Sequence, residues 1–228
     1  MGSASTPKIG AVLLAAGAGR RLGGVAKALI RINGLSLAQR HLLALREAGV
    51  DTVVVVTGFE REAVQAEASG LATHGLATTL AHNPGYAQGL AGSVRIGLAA
   101  LGPGMDGQGF DGILMALVDQ PLIEACDLGA LIAAFGSRAG GHVVVPMVDG
   151  TRGNPVMLDE WVRARVLASA PPFAVRELID REPALVHVWQ TDNARFVTDL
   201  DTREDLERLA TLTGWRIELP PPGAATPA

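Results

Sequence analysis

Residues 13 to 27 read LLAAGAGRRLGGVAK, in which Gly17, Gly19, Gly23 and Gly24 are interleaved with Arg20, Arg21 and Lys27. Glycine has no Cβ and tolerates positive φ, so such a loop brings its backbone close to a ligand and turns N–H groups toward it. Arginine adds forked contacts and lysine a compact point charge, a combination suited to a polyanion such as a nucleoside triphosphate. The spacing is not that of a P-loop, because Lys27 follows Gly23 too closely and precedes Ala28 instead of Ser or Thr. A dinucleotide-binding GxGxxG would need glycine where Leu22 stands. A carboxylate, Asp119, follows the apolar run ILMALV within LVDQP at 117–121. Mg²⁺ is commonly held by one or two protein carboxylates plus substrate phosphates, so Asp119 facing a triphosphate loop supplies half of a metal site. The other half falls to DLDT, through Asp199 or Asp201, although acidic residues also suit the start of a helix.

Two further loops carry polar groups. Asn83, Gly89 and Ser93 lie where HNPGYAQGLAGSVRIGL enters a helix, and a helix start can present donors to an anion or a base. The same residues read equally well as turn and first-turn residues. RGNPV at 152–156 is a Gly, Asn and Pro loop in which Arg152 can pair with a phosphate, and a plain turn accounts for it as well.

Several other chemistries lack their residues. The histidines at 41, 74, 82, 142 and 187 show no HxH or HExxH spacing, and no GxSxG elbow is present. Cys126 is the single cysteine and, set within LIEACDLGAL, is expected to pack in a helix; the three tryptophans are likewise expected in core or interface packing. A net charge of −4 argues against a nucleic-acid surface. No apolar stretch approaches the roughly 20 residues that span a bilayer, and MGSASTPK lacks the apolar segment of a signal peptide, so a cytoplasmic location is expected.

The elements that must position these groups are legible as alternation. Apolar runs GAVLLAA, TVVVVTG, ILMALVD and HVVVPM are separated by helical patterns, which predicts βαβ units: a single Rossmann-like three-layer α/β/α domain with a mostly parallel twisted sheet. Ser36 with Gln39 forms a capping-box pattern and Gly49 closes that helix. Ligands of such sheets bind beyond the carboxyl ends of the strands, which places residues 15–27, Thr57, Gly58 and Asp119 on one rim. Residues 1–216 are expected to form one domain and 217–228, ending PPPGAATPA, a disordered tail.

The pattern LAAGxGxRLGGxxK resembles the signature of MobA-like nucleotidyltransferases, followed in the family's order by Asn83 to Leu98, LVDQP, RGNPVML and DLDTREDL. Within that family NxxxxxGxxxSxxxGL, VDQP and GNPV look most like the molybdenum-cofactor cytidylyltransferase branch. The resemblance implies a nucleotide-diphospho-sugar transferase-like fold and Mg²⁺-dependent transfer of CMP from CTP to molybdopterin, the product passing to a molybdoenzyme. It implies Arg21, Lys27 and Asp119 as catalytic groups and Asp119 with Asp201, preferred over Asp199, as metal ligands. Leu14, Ala15, Ala16, Gly17, Gly19, Arg20, Thr57, Asn83, Gly89 and Ser93 would surround the nucleotide, and Arg152 and Asn154 would face the acceptor. GTP, or a sugar- or polyol-phosphate acceptor, is the nearest alternative. An NAD(P)H-dependent oxidoreductase on a MobA-like scaffold is an alternative of another class; it lacks the ribose-binding acid expected ~20 residues after a dinucleotide loop, where Arg40 to Arg46 offer none.

Overall fold

Every residue of β1 (Ile9–Ala15) is buried, as a strand covered by helices on both faces requires. The computed structural model describes residues 6–70, 75–103 and 107–221. After β1 come a short hairpin, β2 (Arg31–Ile32) and β3 (Leu35–Ser36), then α1 (Leu37–Glu47), β4 (Thr52–Thr57), α2 (Arg61–Gly70), β5 (Ala77–His82), α3 (Leu90–Ala100) and β6 (Gly112–Leu117). The second half adds α4 (Ala125–Ser137), β7 (Val143–Val148), β8 (Thr151–Arg152), β9 (Val156–Leu158), α5 (Glu160–Ala168), α6 (Val175–Arg181), β10 (Val186–Gln190), α7 (Arg203–Thr213) and β11 (Ile217–Glu218).

The main sheet runs β10-β7-β9-β6-β1-β4-β5, with β8 on β7. β1 pairs in parallel with both β4 and β6, and β9 is antiparallel between β6 and β7. The expected three-layer, mostly parallel α/β domain is therefore present. Register is the part that matters for the site: Ala15 lies opposite Thr57 and Leu14 opposite Leu117, so β1, β4 and β6 all end at one rim.

Alternation sorts the strand residues into two cores. Ala11, Leu13 and Ala15 face the layer of α1, α2 and α4, through Leu42, Val64 and Leu128. Val12 and Leu14 face the layer of α3, α5 and α6, through Leu98, Val162 and Leu178. The capping box of α1 forms as expected, the Gln39 N–H donating to Ser36 Oγ and the Ser36 N–H to Gln39 Oε1, each at 3.2 Å.

Three expectations change. Ile217 and Glu218 are not tail: β11 pairs antiparallel with β2, Ile217 opposite Ile32, because a half-apolar strand completes an edge that the two-residue hairpin leaves open. Residues 222–228 lie outside the described residues. Cys126 is exposed, since the buried face of α4 runs through Asp127, Leu128, Leu131 and Phe135. Trp161 is also largely exposed and stacks on His142 at 4.5 Å, whereas Trp189 packs edge-on against Phe196 and Trp215 lies under Arg40. Among the described residues no helix is long and apolar enough to cross a membrane.

α3 rides close to the sheet at Gly97, where a Cβ would lie 2.3 Å from Val12 Cγ1 and 2.9 Å from Val56 Cγ2. Both valines are fully buried and have nowhere to move. Gly97→Val should therefore destabilise the fold by about 1–3 kcal/mol through overpacking, read as a lower urea midpoint.

Candidate functional site

The glycine loop is shaped by one turn. At Gly19 φ is +50°, and a Cβ there would sit 2.1 Å from the Val25 carbonyl oxygen. The Leu22 and Gly24 N–H groups donate back to the Gly19 carbonyl at 2.8 and 3.2 Å, while Leu22 plugs the core with no exposed surface. The loop thus closes on its own carbonyls, and the amides of Gly17 and Ala18 donate to none of the described backbone carbonyls. A Cβ on Gly17 would touch nothing within 4 Å, so this stretch borders open space.

Lys27 joins the loop to two distant segments. Its Nζ donates to Asp119 Oδ2 at 2.7 Å and to Asp201 Oδ1 at 2.6 Å, and Arg21 Nη2 donates to Asp201 Oδ2 at 2.8 Å. The Lys27 side chain is only 13% exposed, so these pairs are largely shielded from solvent screening, unlike a surface salt bridge. Burial alone would lower the Lys27 ammonium, but Asp119 and Asp201 outweigh it and hold its pKa above the usual value. Burial pushes Asp201 up, and Lys27 and Arg21 more than reverse that, so it stays below the usual carboxylate value.

Local capping explains which aspartate faces Lys27. Asp205 and Thr202 form the capping box of α7, and the Asp201 N–H also donates to Asp205 Oδ2. The Leu200 N–H donates to the Asp119 carbonyl at 2.8 Å, tying DLDT to LVDQP and turning the Asp201 side chain to Lys27. Asp199, the alternative to Asp201 as second ligand, keeps solvent access. Even so, partial burial and the charges of Asp119 and Asp201 push its carboxyl up to about 6, against the pull of Lys27. Beneath the β6 rim lies His41, buried against the backbone of Val118 and Gln120; desolvation pushes it down to about 4, so it stays uncharged at neutral pH.

A cavity of about 350 Å³ opens above this cluster. Leu14, Ala16, Gly17, Gly19, Arg20, Arg21, Lys27, Gly89, Ser93, Asp119 and Asp201 all line it. Tyr86, Leu90, Leu117 and Val118 line it too and were missed; Tyr86, inside HNPGYAQG, was the readable signal, an aromatic on a rim loop.

Three expected contacts move elsewhere. Thr57 is fully buried, its hydroxyl donating to the Ala81 carbonyl and accepting from Gln65, so it joins β4 to β5 and does not face the cavity. Asn83 is buried and serves its own loop, Nδ2 donating to Ser93 Oγ at 2.9 Å and Oδ1 accepting from the Gly85 N–H. Ala15 points into the opposite core. Arg152 and Asn154 line a second, adjoining cavity of about 310 Å³ that shares Leu14, Leu90 and Leu117 with the first.

A parallel sheet whose rim carries a glycine loop and a lysine set between two aspartates is the framework of a nucleotide-binding α/β domain. The MobA-like NTP transferase domain matches residues 11–189, and the chain belongs to that family. It is 29% identical over 92% of its length to the nicotine blue oxidoreductase of Paenarthrobacter nicotinovorans, covering 100% of that protein. It is 34% identical over 65% of its length to a probable molybdenum cofactor guanylyltransferase of Opitutus terrae, covering 65% of it. Among solved structures, Rv0371c of Mycobacterium tuberculosis H37Rv superposes with a TM-score of 0.71 at 25% identity, over 90% of this chain and 98% of that one.

The Asp199 carboxyl holds its proton in the folded protein up to about 6, whereas the unfolded chain releases it near the ordinary 3.8. Between those values the folded state binds more protons, so this group's contribution makes stability fall as pH rises through the window. Asp199→Asn should raise the Tm at pH 7.5 in chelator-treated buffer and leave it unchanged at pH 3.5, a comparison that thermal melts at the two pH values will make.

Proposed function

We propose that this protein transfers a nucleotidyl group from a nucleoside triphosphate to the phosphate of a small acceptor, CTP and molybdenum-loaded molybdopterin being the specific pair. The observation that carries the reading is the cluster of Lys27, Asp119, Asp201 and Arg21 facing the glycine loop across one cavity. The donor and acceptor in this reaction are both polyanions, so the barrier is chiefly repulsion, and positioned cations are the remedy.

An acceptor phosphate oxygen attacks the α-phosphorus in line, the bond from that phosphorus to the bridging oxygen breaks, and pyrophosphate leaves carrying its electron pair. Amides from Ala16 to Gly19 hold the β and γ phosphates. Lys27, which Asp119 and Asp201 keep charged, and Arg21, which Asp201 aims, neutralise the α-phosphate and the leaving group. Ser93 and Tyr86, on the opposite wall, bound the space for the base and ribose.

A divalent ion suits this donor set. Asp119 Oδ1 is buried and has no hydrogen-bond partner among the described residues, and the neighbouring donors are carboxylate oxygens, which Mg²⁺ prefers. No group of three or more His, Cys, Asp or Glu gathers at one point among the described residues, which fits an ion that completes its shell with substrate phosphates. Asp119 and Asp201 would hold Mg²⁺, which when bound supplies further charge neutralisation on the phosphates. One structure of similar fold, 23% identical with a TM-score of 0.66, is a manganese complex of Rv0371C, and it lends the metal requirement support at the level of the fold.

A second reading, a nicotinamide-dependent oxidoreductase, is favoured by the likeness to nicotine blue oxidoreductase along that protein's full length. Leu22 at the third glycine position of a dinucleotide loop weighs against it.

The test is pyrophosphate release with Mg²⁺ and each of the four ribonucleoside triphosphates, with and without molybdenum-loaded molybdopterin. Release is expected with CTP and that acceptor together. Asp119→Asn should lower kcat by about 10²- to 10³-fold, the scale of losing one preorganised charge-stabilising group, with an unchanged far-UV spectrum. Silence with every triphosphate, combined with saturable NADPH binding, would transfer the assignment to the second reading.

A further inference from the structure

Asp119 and Asp201 are not equally ready for a metal ion. Lys27 Nζ sits between them and takes one oxygen of each, Asp119 Oδ2 at 2.7 Å and Asp201 Oδ1 at 2.6 Å. The second oxygen of Asp119, Oδ1, is buried and has no hydrogen-bond partner among the described residues. The second oxygen of Asp201, Oδ2, accepts from Arg21 Nη2 at 2.8 Å. One carboxylate therefore keeps an oxygen for a cation, and the other has both engaged.

The two groups that engage Asp201 are held with different firmness. The Lys27 side chain is 13% exposed and contacts both carboxylates, whereas the Arg21 side chain is 69% exposed and makes a single N–H···O contact. Exposed single ion pairs contribute little, and a phosphate that accepts two parallel N–H bonds holds a guanidinium better than a carboxylate that accepts one. Arg21 belongs to the three-residue turn Arg20–Leu22, which Leu22 anchors in the core, so the backbone is fixed while the side chain can change partner. It lines the same cavity as Gly17 and Gly19, where the triphosphate would lie. Lys27 has no such need to move, since its ammonium uses two of three N–H donors on the aspartates and keeps the third. Arg20 offers a contrast within that cavity: it lines the wall and is exposed, but has no ion pair among the described residues.

We propose that Arg21 is a nucleotide-operated latch on the metal site: it caps Asp201 in the free protein and releases it when a polyphosphate draws the guanidinium into the cavity. Asp119 is then the standing ligand and Asp201 the conditional one, and a divalent ion gains its second carboxylate only together with the nucleotide. The coupling is reciprocal, because whatever frees Asp201 for the metal also makes the metal-loaded form bind the nucleotide better. Toward the metal Arg21 is a positioning residue that acts through Asp201. The inference rests on the reading of Asp119 and Asp201 as the metal ligands.

The experiment is titration of the full, nucleotide-free chain with Mn²⁺, the free ion being followed by electron paramagnetic resonance. Arg21→Gln should bind Mn²⁺ several-fold more tightly than the unsubstituted protein. Arg20→Gln, which removes the same charge from the same cavity, should change the affinity less than twofold. In an Asp201→Asn background Arg21→Gln should bring no gain, because the double-mutant cycle isolates the Arg21 and Asp201 pair. In EDTA, calorimetric titration with CTP should show several-fold weaker binding to Arg21→Gln, the nucleotide having lost the guanidinium it draws away. Equal Mn²⁺ affinity with and without Arg21, an equal gain from Arg20→Gln, a gain that survives in Asp201→Asn, or unchanged CTP binding in EDTA overturns the latch. None of those outcomes bears on pyrophosphate release, which tests the transfer reading. Mn²⁺ binding tightened through Asp201 in a protein that releases pyrophosphate with no triphosphate would keep the latch and remove that reading.

Discussion

The site depends on one ammonium group held between two carboxylates. Lys27 contacts Asp119 and Asp201, and those three residues come from the glycine loop, the end of β6 and the approach to α7. Buried charges are tolerated only when paired, so none of the three segments can settle independently of the other two. The backbone bond from Leu200 to the Asp119 carbonyl reinforces the same junction. What looks like a catalytic cluster is therefore also the joint that brings the second half of the chain back over the first.

That joint works because the sheet delivers its strand ends in register. β1 is flanked on both sides by parallel partners that finish level with it, so the glycine loop after β1 and Asp119 after β6 emerge as neighbours. Gly97 lets α3 sit against β1 and β4, which brings the start of the same helix, with Gly89, Leu90 and Ser93, to the far wall of the cavity. The distance from fold to site is short: a parallel sheet with one rim, and the loops that its strands must release there.

Most of the architecture was legible in the sequence because apolar runs without a polar face have few alternatives to a covered parallel strand. The groups whose chemistry needs a rim position, Lys27, Asp119 and Arg21, were legible for the same reason. Thr57 was misread because reaching the end of β4 does not determine which way the side chain points; alternation turns it into the sheet's interior, where its hydroxyl finds Ala81. Asn83 was misread because Asn in a turn is as ready to hydrogen-bond its own loop as a ligand, and here it holds Gly85 and Ser93. The preference for Asp201 over Asp199 came from the resemblance alone; that Asp201 also pairs with Lys27 was not legible, since the capping geometry of Thr202 and Asp205 sets it. The short strand β11 escaped notice because two residues carry too little periodicity to read.

The two cavities can lie side by side because they draw on different residues of the same strand ends. On β1, Leu14 turns toward α3 and forms the wall common to both, while the chain just beyond it becomes the polar loop. On β6, Met115 enters the second cavity, Leu117 joins the shared wall, and Asp119, two residues further, joins the ion cluster. Period-two alternation keeps Met115 and Leu117 on one side of the sheet, and the turn that follows β6 carries Asp119 to the charged rim beyond them.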